Sequence, residues 1–201
     1  MLQIRVHGRG GQGVVTAAEL LSLAAFAQGR HAQAFPSFGS ERTGAPVVAF
    51  CRIDDREIRL REPILAPDVL IVQDPTLLHQ VDVFQGLVPD GYVLINSKRS
   101  FHALGLADIA QRFRTERLTT VPATEIAMKH LQRPLPNAVL LGGFAALSRL
   151  VTLEAVAHAI RHTFSGKVAE ANVAAATEAF DFVRREIQEL TREDHAHAAP
   201  D

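Results

Sequence analysis

A glycine-rich turn near the N-terminus constrains the fold of this chain more than any other feature. It follows Leu2–His7, where apolar and polar residues alternate as in a strand, and it precedes Val14–Gln28, which favours a helix. The turn has the pattern G-x-G-x-x-G and consists of Gly8, Arg9, Gly10, Gly11, Gln12 and Gly13. Because another strand-like segment follows at His31–Phe35, this order of elements predicts a βαβ unit and a parallel sheet.

The remainder of the chain predicts more strands and helices. Strands are expected at Val47–Ile53, Arg56–Leu60, Val69–Gln73, Tyr92–Asn96 and Leu118–Val121, and the first two of these form a hairpin at a sheet edge. Helices are expected at Thr76–Phe84, Thr124–Leu131, Ala138–Leu150, Leu153–Thr163 and Lys167–Leu190. We therefore predict an α/β fold: a three-layer Rossmann-like, mostly parallel sheet with a small β-hairpin and a C-terminal helical segment. Residues 1–192 are expected to form a single domain, and residues 193–201 a disordered tail.

Composition and charge argue against several classes of function. The net charge is −1 and the basic residues are scattered, which is not the footprint of a nucleic-acid-binding protein. Cys51 is the only cysteine, so this chain alone cannot ligate an iron–sulfur cluster, which needs about four thiolates. The longest apolar run, Ala138–Leu147, is too short to span a bilayer, and the N-terminus does not resemble an export signal. We expect a cytoplasmic protein that binds neither nucleic acid nor membrane, with no metal site.

The glycine-rich turn suggests a phosphate site. Glycines let backbone N–H groups approach a phosphate closely, and the start of the following helix adds partial positive charge. The alternative is that the turn only packs against a neighbouring chain. A nicotinamide or flavin dinucleotide is disfavoured, because the second strand ends at Ala34–Ser37 without the carboxylate that usually holds the ribose. The nearest acid, Glu41, lies in a loop.

Several segments with a consistent order and spacing carry a family resemblance. They are Gly8–Ala18, Phe38–Val47, Pro67–Val72, Leu94–Asn96, Pro136–Asn137 and Lys167–Asn172. Over about Gln3–Ile187 the chain resembles the gamma domain of the 2-oxoacid:ferredoxin oxidoreductases, the family of pyruvate:ferredoxin oxidoreductase. The beta subunit of indolepyruvate oxidoreductase is similar in the first segment but less similar in the second.

The resemblance implies a subunit that is not catalytic in isolation. In this family thiamine diphosphate and the iron–sulfur clusters sit mainly on alpha, beta and delta subunits. The complex oxidatively decarboxylates a 2-oxoacid, coenzyme A takes the acyl group, and electrons pass to ferredoxin, or to NAD through a flavin subunit. Pyruvate is the expected substrate, with branched and aromatic 2-oxoacids left open. The gamma domain is implicated in binding coenzyme A.

The resemblance also suggests which residues form the site. The expected cofactor-binding residues, for a phosphate of coenzyme A, are Gly8, Arg9, Gly10, Gly11, Gln12, Gly13 and Arg42. The expected contacts to a neighbouring subunit or a substrate channel are Phe38, Gly39, Glu41, Arg42, Asn96 and Asn172. No catalytic residue is expected in this chain.

Simpler structural roles stand beside these assignments. Glu41–Arg42 can be an ion pair within the loop, Asn96 can cap a turn, and Asn137 can cap the helix from Ala138. Asn172 lies on an apolar helix stripe and should bond to backbone or to a partner chain. His7 can be a structural histidine at the end of the first strand. Two other functions remain open: an independent dinucleotide-dependent oxidoreductase, and a structural assembly module that binds no ligand.

Overall fold

The computed structural model describes residues 1–37 and 43–197, and within them six strands form one sheet. The strands are β1 (Leu2–Arg9), β2 (His31–Pro36), β3 (Pro46–Asp54), β4 (Val69–Val72), β5 (Tyr92–Asn96) and β6 (Leu118–Val121). The helices are α1 (Val14–Ala27), α2 (Ala107–Arg112), α3 (Ala123–Leu131), α4 (Asn137–Ser148), α5 (Leu153–Thr163) and α6 (Gly166–His197). Short 3₁₀ turns lie at Pro75–His79 and Thr115–Arg117.

The order of the strands is β2-β3-β1-β4-β5-β6. Strands β1, β4, β5 and β6 are parallel, whereas β3 runs antiparallel to both β1 and β2. Along this order the connections run in opposite directions: the connection from β1 leads toward β2, and the connection from β4 leads away from β1 to β5. Ligands of α/β proteins bind at such a reversal, outside the carboxyl ends of the strands. The glycine-rich turn after β1 and Gln73 after β4 lie at this edge.

Helices α1, α4, α5 and α6 cover one face of the sheet around a continuous apolar core. Helix α4 is at the centre of this layer, and all of its residues are buried. It passes so close to α6 that a Cβ on Gly142 would lie 1.9 Å from the carbonyl oxygen of Ala176. The opposite face is covered by the Pro75–His79 turn, α2 and connecting turns around a second cluster that includes Leu70 and Val72. The predicted α/β fold class is thus confirmed.

Two details of the prediction are wrong. Arg56–Leu60 is not a strand, because both edges of β3 are already paired, with β1 on one side and β2 on the other. The antiparallel pair at the sheet edge is instead formed by β2 and β3. The helix predicted at Thr76–Phe84 is only the 3₁₀ turn Pro75–His79 followed by further turns.

The last helix differs from its prediction at both ends. Val168, the first apolar residue of this helix, is 56% exposed although the apolar spacing along the helix predicts a buried stripe from this residue, and the buried side begins with Ala169 and Asn172 instead. The helix continues to His197, so residues 193–197 are helical where a disordered tail was expected. Glu193 and Ala196 in this segment favour helix even without packing. None of the described helices is both long and apolar enough to cross a membrane. The assignment of residues 1–192 to a single domain stays a prediction.

Candidate functional site

The glycine-rich turn presents unpaired N–H groups at the start of α1. Gly11 and Gly13 have φ values of 93° and 71°, in the left-handed region that favours glycine. The N–H of Gly10 donates to the carbonyl of Ala45 at 2.9 Å. Within residues 1–37 and 43–197, no acceptor is present for the N–H groups of Gly11, Gly13 or Val14. Successive free N–H groups at a helix start form a concave site for an anion.

The glycines of the turn have different roles. A Cβ on Gly8 would lie 2.6 Å from Cγ2 of Val14, and a Cβ on Gly13 would lie 2.4 Å from Nδ2 of Asn137. Both glycines are therefore required by close packing. A Cβ on Gly11 would meet nothing within 4 Å, so this residue faces open space. Gly11 is the position where a ligand can approach the backbone.

Arg9 braces the turn from outside. Its Nε lies 3.1 Å from Oδ2 of Asp74, and its Nη1 donates to the carbonyl of Gly44 at 3.0 Å. Its Nη2 donates to Oγ1 of Thr76 at 2.7 Å and to Oε1 of Gln80 at 2.9 Å. These contacts give Arg9 a structural role, and its expected part in phosphate binding stays a prediction.

Gln12 and Asp74 belong to the same hydrogen-bond network as Arg9. Oε1 of Gln12 accepts from the N–H of Arg9 at 2.8 Å, and its Nε2 donates to Oδ2 of Asp74 at 2.8 Å. Burial alone would raise the pKa of Asp74, but hydrogen bonds from Thr76 and Gln12, with the charge of Arg9, hold that pKa below its ordinary value. Asp74 therefore stays ionised at neutral pH and fixes the turn against the end of β4.

A cavity of about 620 Å³ opens between the turn and α6. We call it the α6-side cavity; its polar lining includes Gly11, Gly13, Thr16, Arg133, Asn137, Lys167 and Asn172. Helices α1, α4 and α6 all begin at this cavity, at Val14, Asn137 and Gly166 respectively. Each helix start contributes partial positive charge, so the cavity favours an anionic ligand.

Side-chain charges add to this field. Lys167 and Arg133 are exposed, and neither takes part in the ion pairs formed by the described residues. The acid near the cavity is already compensated, because one carboxylate oxygen of Glu178 lies 2.7 Å from both Lys129 Nζ and His130 Nε2. Hydrogen bonds from Lys129 and His130 lower the pKa of Glu178. The two basic side chains are therefore available to a ligand.

Two buried asparagines line the same cavity. Nδ2 of Asn172 donates to the carbonyl of Val168 at 2.9 Å, the backbone bond that its burial required. Asn137 is not the N-cap of α4, as was expected, because Pro136 occupies that position. Oδ1 of Asn137 accepts from the N–H of Ala138 at 2.9 Å, and its Nδ2 has no acceptor in the described chain. This amide lies against Gly13, which directs it to the glycine-rich turn.

A second hollow lies on the other side of the turn, where the direction of strand connections reverses. We call it the switch-point crevice; it measures about 420 Å³, and its lining includes Gly10, Gly11, Gln12, Thr43, Gln73 and Asn96. Its lining contains no Lys, Arg or His among the described residues. The crevice therefore differs in charge from the α6-side cavity, although both reach Gly11.

Asn96 forms part of the wall of this crevice. Its Nδ2 donates to the carbonyl of Gln73 and to Oγ1 of Thr124, both at 2.8 Å, and its Oδ1 accepts from the N–H of Thr124 at 3.1 Å. The side chain thus caps the start of α3 and ties it to the end of β4. This agrees with the turn-capping role, and an interface role for Asn96 stays a prediction.

His7 lies away from both hollows. It is 6% exposed and alternates along β1 with Val6, which packs in the core under α1. Burial, with a smaller effect of the Arg5 charge, lowers the pKa of His7 to about 3, so the ring is neutral at physiological pH. The geometry fits the structural role proposed for this residue.

The remaining expected residues fall outside the described part of the chain, namely Phe38, Gly39, Glu41 and Arg42. The polar residues of the two hollows that sequence reasoning did not select for a ligand role include Gln73, Arg133, Asn137 and Lys167. Lys167 and Asn137 stand in segments that carried the family resemblance, and Gln73 is a polar residue at the carboxyl end of a buried strand. These positions in the sequence were the signals that could have identified the three residues.

Comparisons with known proteins give a consistent result. The family model described as pyruvate ferredoxin/flavodoxin oxidoreductase matches residues 3–182. The common subunit gamma of the pyruvate/ketoisovalerate oxidoreductases of Pyrococcus abyssi is 48% identical over 181 residues, covering 90% of this chain and 96% of the relative.

Two solved structures share the fold. Pyruvate oxidoreductase subunit PORC of Thermotoga maritima superposes with a TM-score of 0.75 at 34% identity, covering 90% of this chain and 95% of that one. The 2-oxoglutarate:ferredoxin oxidoreductase of Magnetococcus marinus gives a TM-score of 0.73 at 17% identity. It covers 92% of this chain and 31% of that chain, and it supports the fold alone.

Proposed function

The chain belongs to the pyruvate ferredoxin/flavodoxin oxidoreductase family as a gamma subunit, and we propose that within its complex it binds a phosphate of coenzyme A at the glycine-rich turn. The observation that carries the proposal is the set of unpaired N–H groups at Gly11, Gly13 and Val14. They adjoin a cavity that is also lined by Lys167 and Arg133. Backbone N–H groups and cations together are the usual ligands of a phosphate.

The complex oxidises a 2-oxoacid and transfers its acyl group to coenzyme A. Carbon dioxide leaves, the thiol of coenzyme A loses its proton and gains the acyl group, and two electrons pass to ferredoxin, or to NAD through a flavin subunit. Thiamine diphosphate supplies the decarboxylation chemistry when bound and iron–sulfur clusters carry the electrons, both mainly on alpha, beta and delta subunits. The gamma subunit contributes by holding coenzyme A and orienting its thiol toward the partner subunits.

The chemistry of Cys51 supports this division of labour. Cys51 is fully buried in β3, and burial raises the pKa of its thiol to about 12. A thiol that stays protonated at neutral pH is neither a cluster ligand nor a nucleophile. We therefore assign Cys51 no part in the reaction.

Substrate choice is assigned to the other subunits. The P. abyssi relative is named as one gamma subunit common to pyruvate and ketoisovalerate oxidoreductases. A subunit shared by enzymes for two different acids does not distinguish those acids. Pyruvate and branched 2-oxoacids are the first substrates to test, followed by aromatic 2-oxoacids.

The topology disfavours the independent dinucleotide-binding enzyme. In such an enzyme the second strand of the βαβ unit lies directly beside β1, runs parallel to it and ends in a carboxylate near the glycine-rich turn. Here β3 occupies that position and runs antiparallel, so its carboxyl end lies at the opposite edge of the sheet. Strand β2 is one position further away and lacks the carboxylate.

The test compares two glycines with similar backbones. Gly11 and Gly29 have φ values of 93° and 76°, and a Cβ at either would meet nothing within 4 Å. Gly29 follows the opposite end of α1, so Gly29→Leu reproduces the backbone strain without blocking the site. In the complex purified under anaerobic conditions, Gly11→Leu should raise the KM for coenzyme A at least ~10-fold, as expected for the loss of one charged hydrogen bond.

The KM for the 2-oxoacid and the subunit composition should not change, and Gly29→Leu should behave as wild type. Loss of the partner subunits in Gly11→Leu alone would instead support the structural assembly module. A normal KM for coenzyme A in an intact Gly11→Leu complex would refute the phosphate site.

A further inference from the structure

Gln73 is the strongest unexplained polar group next to the site. The residue is 1% exposed, and within residues 1–37 and 43–197 neither its Oε1 nor its Nε2 has a hydrogen-bond partner. Burying an amide without partners is strongly unfavourable, so such a group in a native fold requires an explanation. Apolar side chains of similar size would fill the same space without this penalty.

The surroundings hold Gln73 in place at the switch-point crevice. Its N–H donates to the carbonyl of His7 at 2.7 Å, and its own carbonyl accepts from Asn96 at 2.8 Å. Its Cβ lies 3.2 Å from where a Cβ on Gly8 would be, so the side chain begins directly beneath the glycine-rich turn. The residue lines the crevice. The terminal χ3 angle of Gln has a broad distribution, so a rotation about it presents either amide atom to a bound group.

The crevice suits a neutral group rather than a phosphate. Its described lining contains no basic side chain and includes the ionised Asp74. A phosphate accepts hydrogen bonds but donates none at its ionised oxygens, so it would leave Oε1 of Gln73 unsatisfied. An amide offers one N–H donor and one carbonyl acceptor, which match the two unpaired atoms of Gln73.

We propose that Gln73 binds a neutral amide of the same extended ligand whose phosphate lies at the glycine-rich turn. The inference rests on the proposed function: for coenzyme A, the amide belongs to the pantetheine arm. The phosphorylated nucleotide end occupies the basic α6-side cavity, the turn lies between, and the arm enters the switch-point crevice. Gly11, which lines both hollows, is the point where the ligand crosses.

The test separates the two ends of the ligand. In the intact complex, dissociation constants are measured for coenzyme A and for adenosine 3′,5′-bisphosphate, which lacks the pantetheine arm. Gln73→Met keeps the length of the side chain and removes its amide. It should raise the dissociation constant of coenzyme A about tenfold and leave that of the bisphosphate unchanged. Lys167→Met should weaken the binding of both probes, and Gln85→Met, at an exposed position, should weaken the binding of neither.

Equal weakening of both probes by Gln73→Met, or no weakening of coenzyme A, would overturn the assignment. A complex that loses subunits in Gln73→Met would point to a partner chain in the crevice and would also overturn it. If neither probe responds to Lys167→Met or Gly11→Leu, the phosphate site of the proposed function fails instead.

A measurement on the unmodified complex does not depend on any variant folding. Pantetheine, which has no phosphate, should compete with coenzyme A and should bind together with adenosine 3′,5′-bisphosphate. Competition between pantetheine and the bisphosphate would refute two separate subsites.

Discussion

The contact between Gly13 and Asn137 gives the sharpest test of how the site is built. A Cβ at Gly13 would lie 2.4 Å from Nδ2 of Asn137, and Gly13 has a φ of 71°. Gly11 has a comparable φ of 93° but open space around its Cβ position. Gly11→Ala therefore isolates the backbone strain, whereas Gly13→Ala adds a steric clash to it.

The magnitudes follow from these two effects. The left-handed conformation costs an L-residue ~1–2 kcal/mol, which is the expected loss of stability in Gly11→Ala. Overpacking adds ~1–3 kcal/mol, because Asn137 is only 6% exposed and its helix has no room to move, so Gly13→Ala should lose ~2–5 kcal/mol. Asn137→Ala removes the clashing amide, so the double variant should be more stable than the sum of the single changes by ~1–3 kcal/mol.

The assay is the free energy of unfolding in urea for the four proteins of this double-mutant cycle, with Gly11→Ala alongside. Gly13→Ala and Asn137→Ala should also weaken the binding of adenosine 3′,5′-bisphosphate, since both displace the amide from the turn. Additive losses in the cycle, or equal losses in Gly11→Ala and Gly13→Ala, would show that the contact does not determine the geometry of the turn.

Two further predictions concern the scaffold. Gly142→Ala should lower the free energy of unfolding by ~2–4 kcal/mol or prevent folding, because its Cβ would lie 1.9 Å from the Ala176 carbonyl oxygen. Gly143→Ala, whose nearest neighbour is a Val183 side-chain methyl at 3.3 Å rather than backbone, should lose less stability; equal urea midpoints would contradict this. His7 has a folded pKa of about 3, below its ordinary value of 6.5, so its stabilising effect is present above pH 6.5 and is lost as the pH falls toward 3. His7→Gln should flatten the pH dependence of stability in that range, and parallel curves for variant and wild type would contradict a buried neutral histidine.

The insertion of β3 explains why local sequence reasoning was partly wrong about the sheet. The order strand, turn, helix and strand correctly predicted β1, α1 and β2. Two strands joined in this way ordinarily lie side by side, but here they do not. Strand β3 pairs with both, from Leu2↔Ile53 on one side to His31↔Asp54 on the other. Pairing partners depend on contacts between residues far apart in sequence, which alternation of apolar residues does not encode.

Local features were determined by the sequence itself. Strands β5 and β6 begin and end at the predicted residues, and Thr152 caps α5 through a 3.1 Å hydrogen bond from the N–H of Ala155. Two glycines of the turn, Gly11 and Gly13, have a left-handed backbone, and the family resemblance is confirmed by the comparisons. These features depend on a few neighbouring residues, whose backbone preferences act over one or two turns of chain.

Only the tertiary structure decided how the site is assembled. It brought the starts of α1, α4 and α6 to one cavity, and it turned Asn137 from an expected helix cap into a neighbour of Gly13. It also buried Gln73 without partners among the described residues at the reversal of strand connections, and it engaged Arg9 with Asp74. Sequence spacing predicts which residues share a strand or a helix, but the charge, burial and free hydrogen bonds of a site arise where separate elements converge. That convergence is set by packing across the whole core, since each helix takes the position that fills space against all of its neighbours.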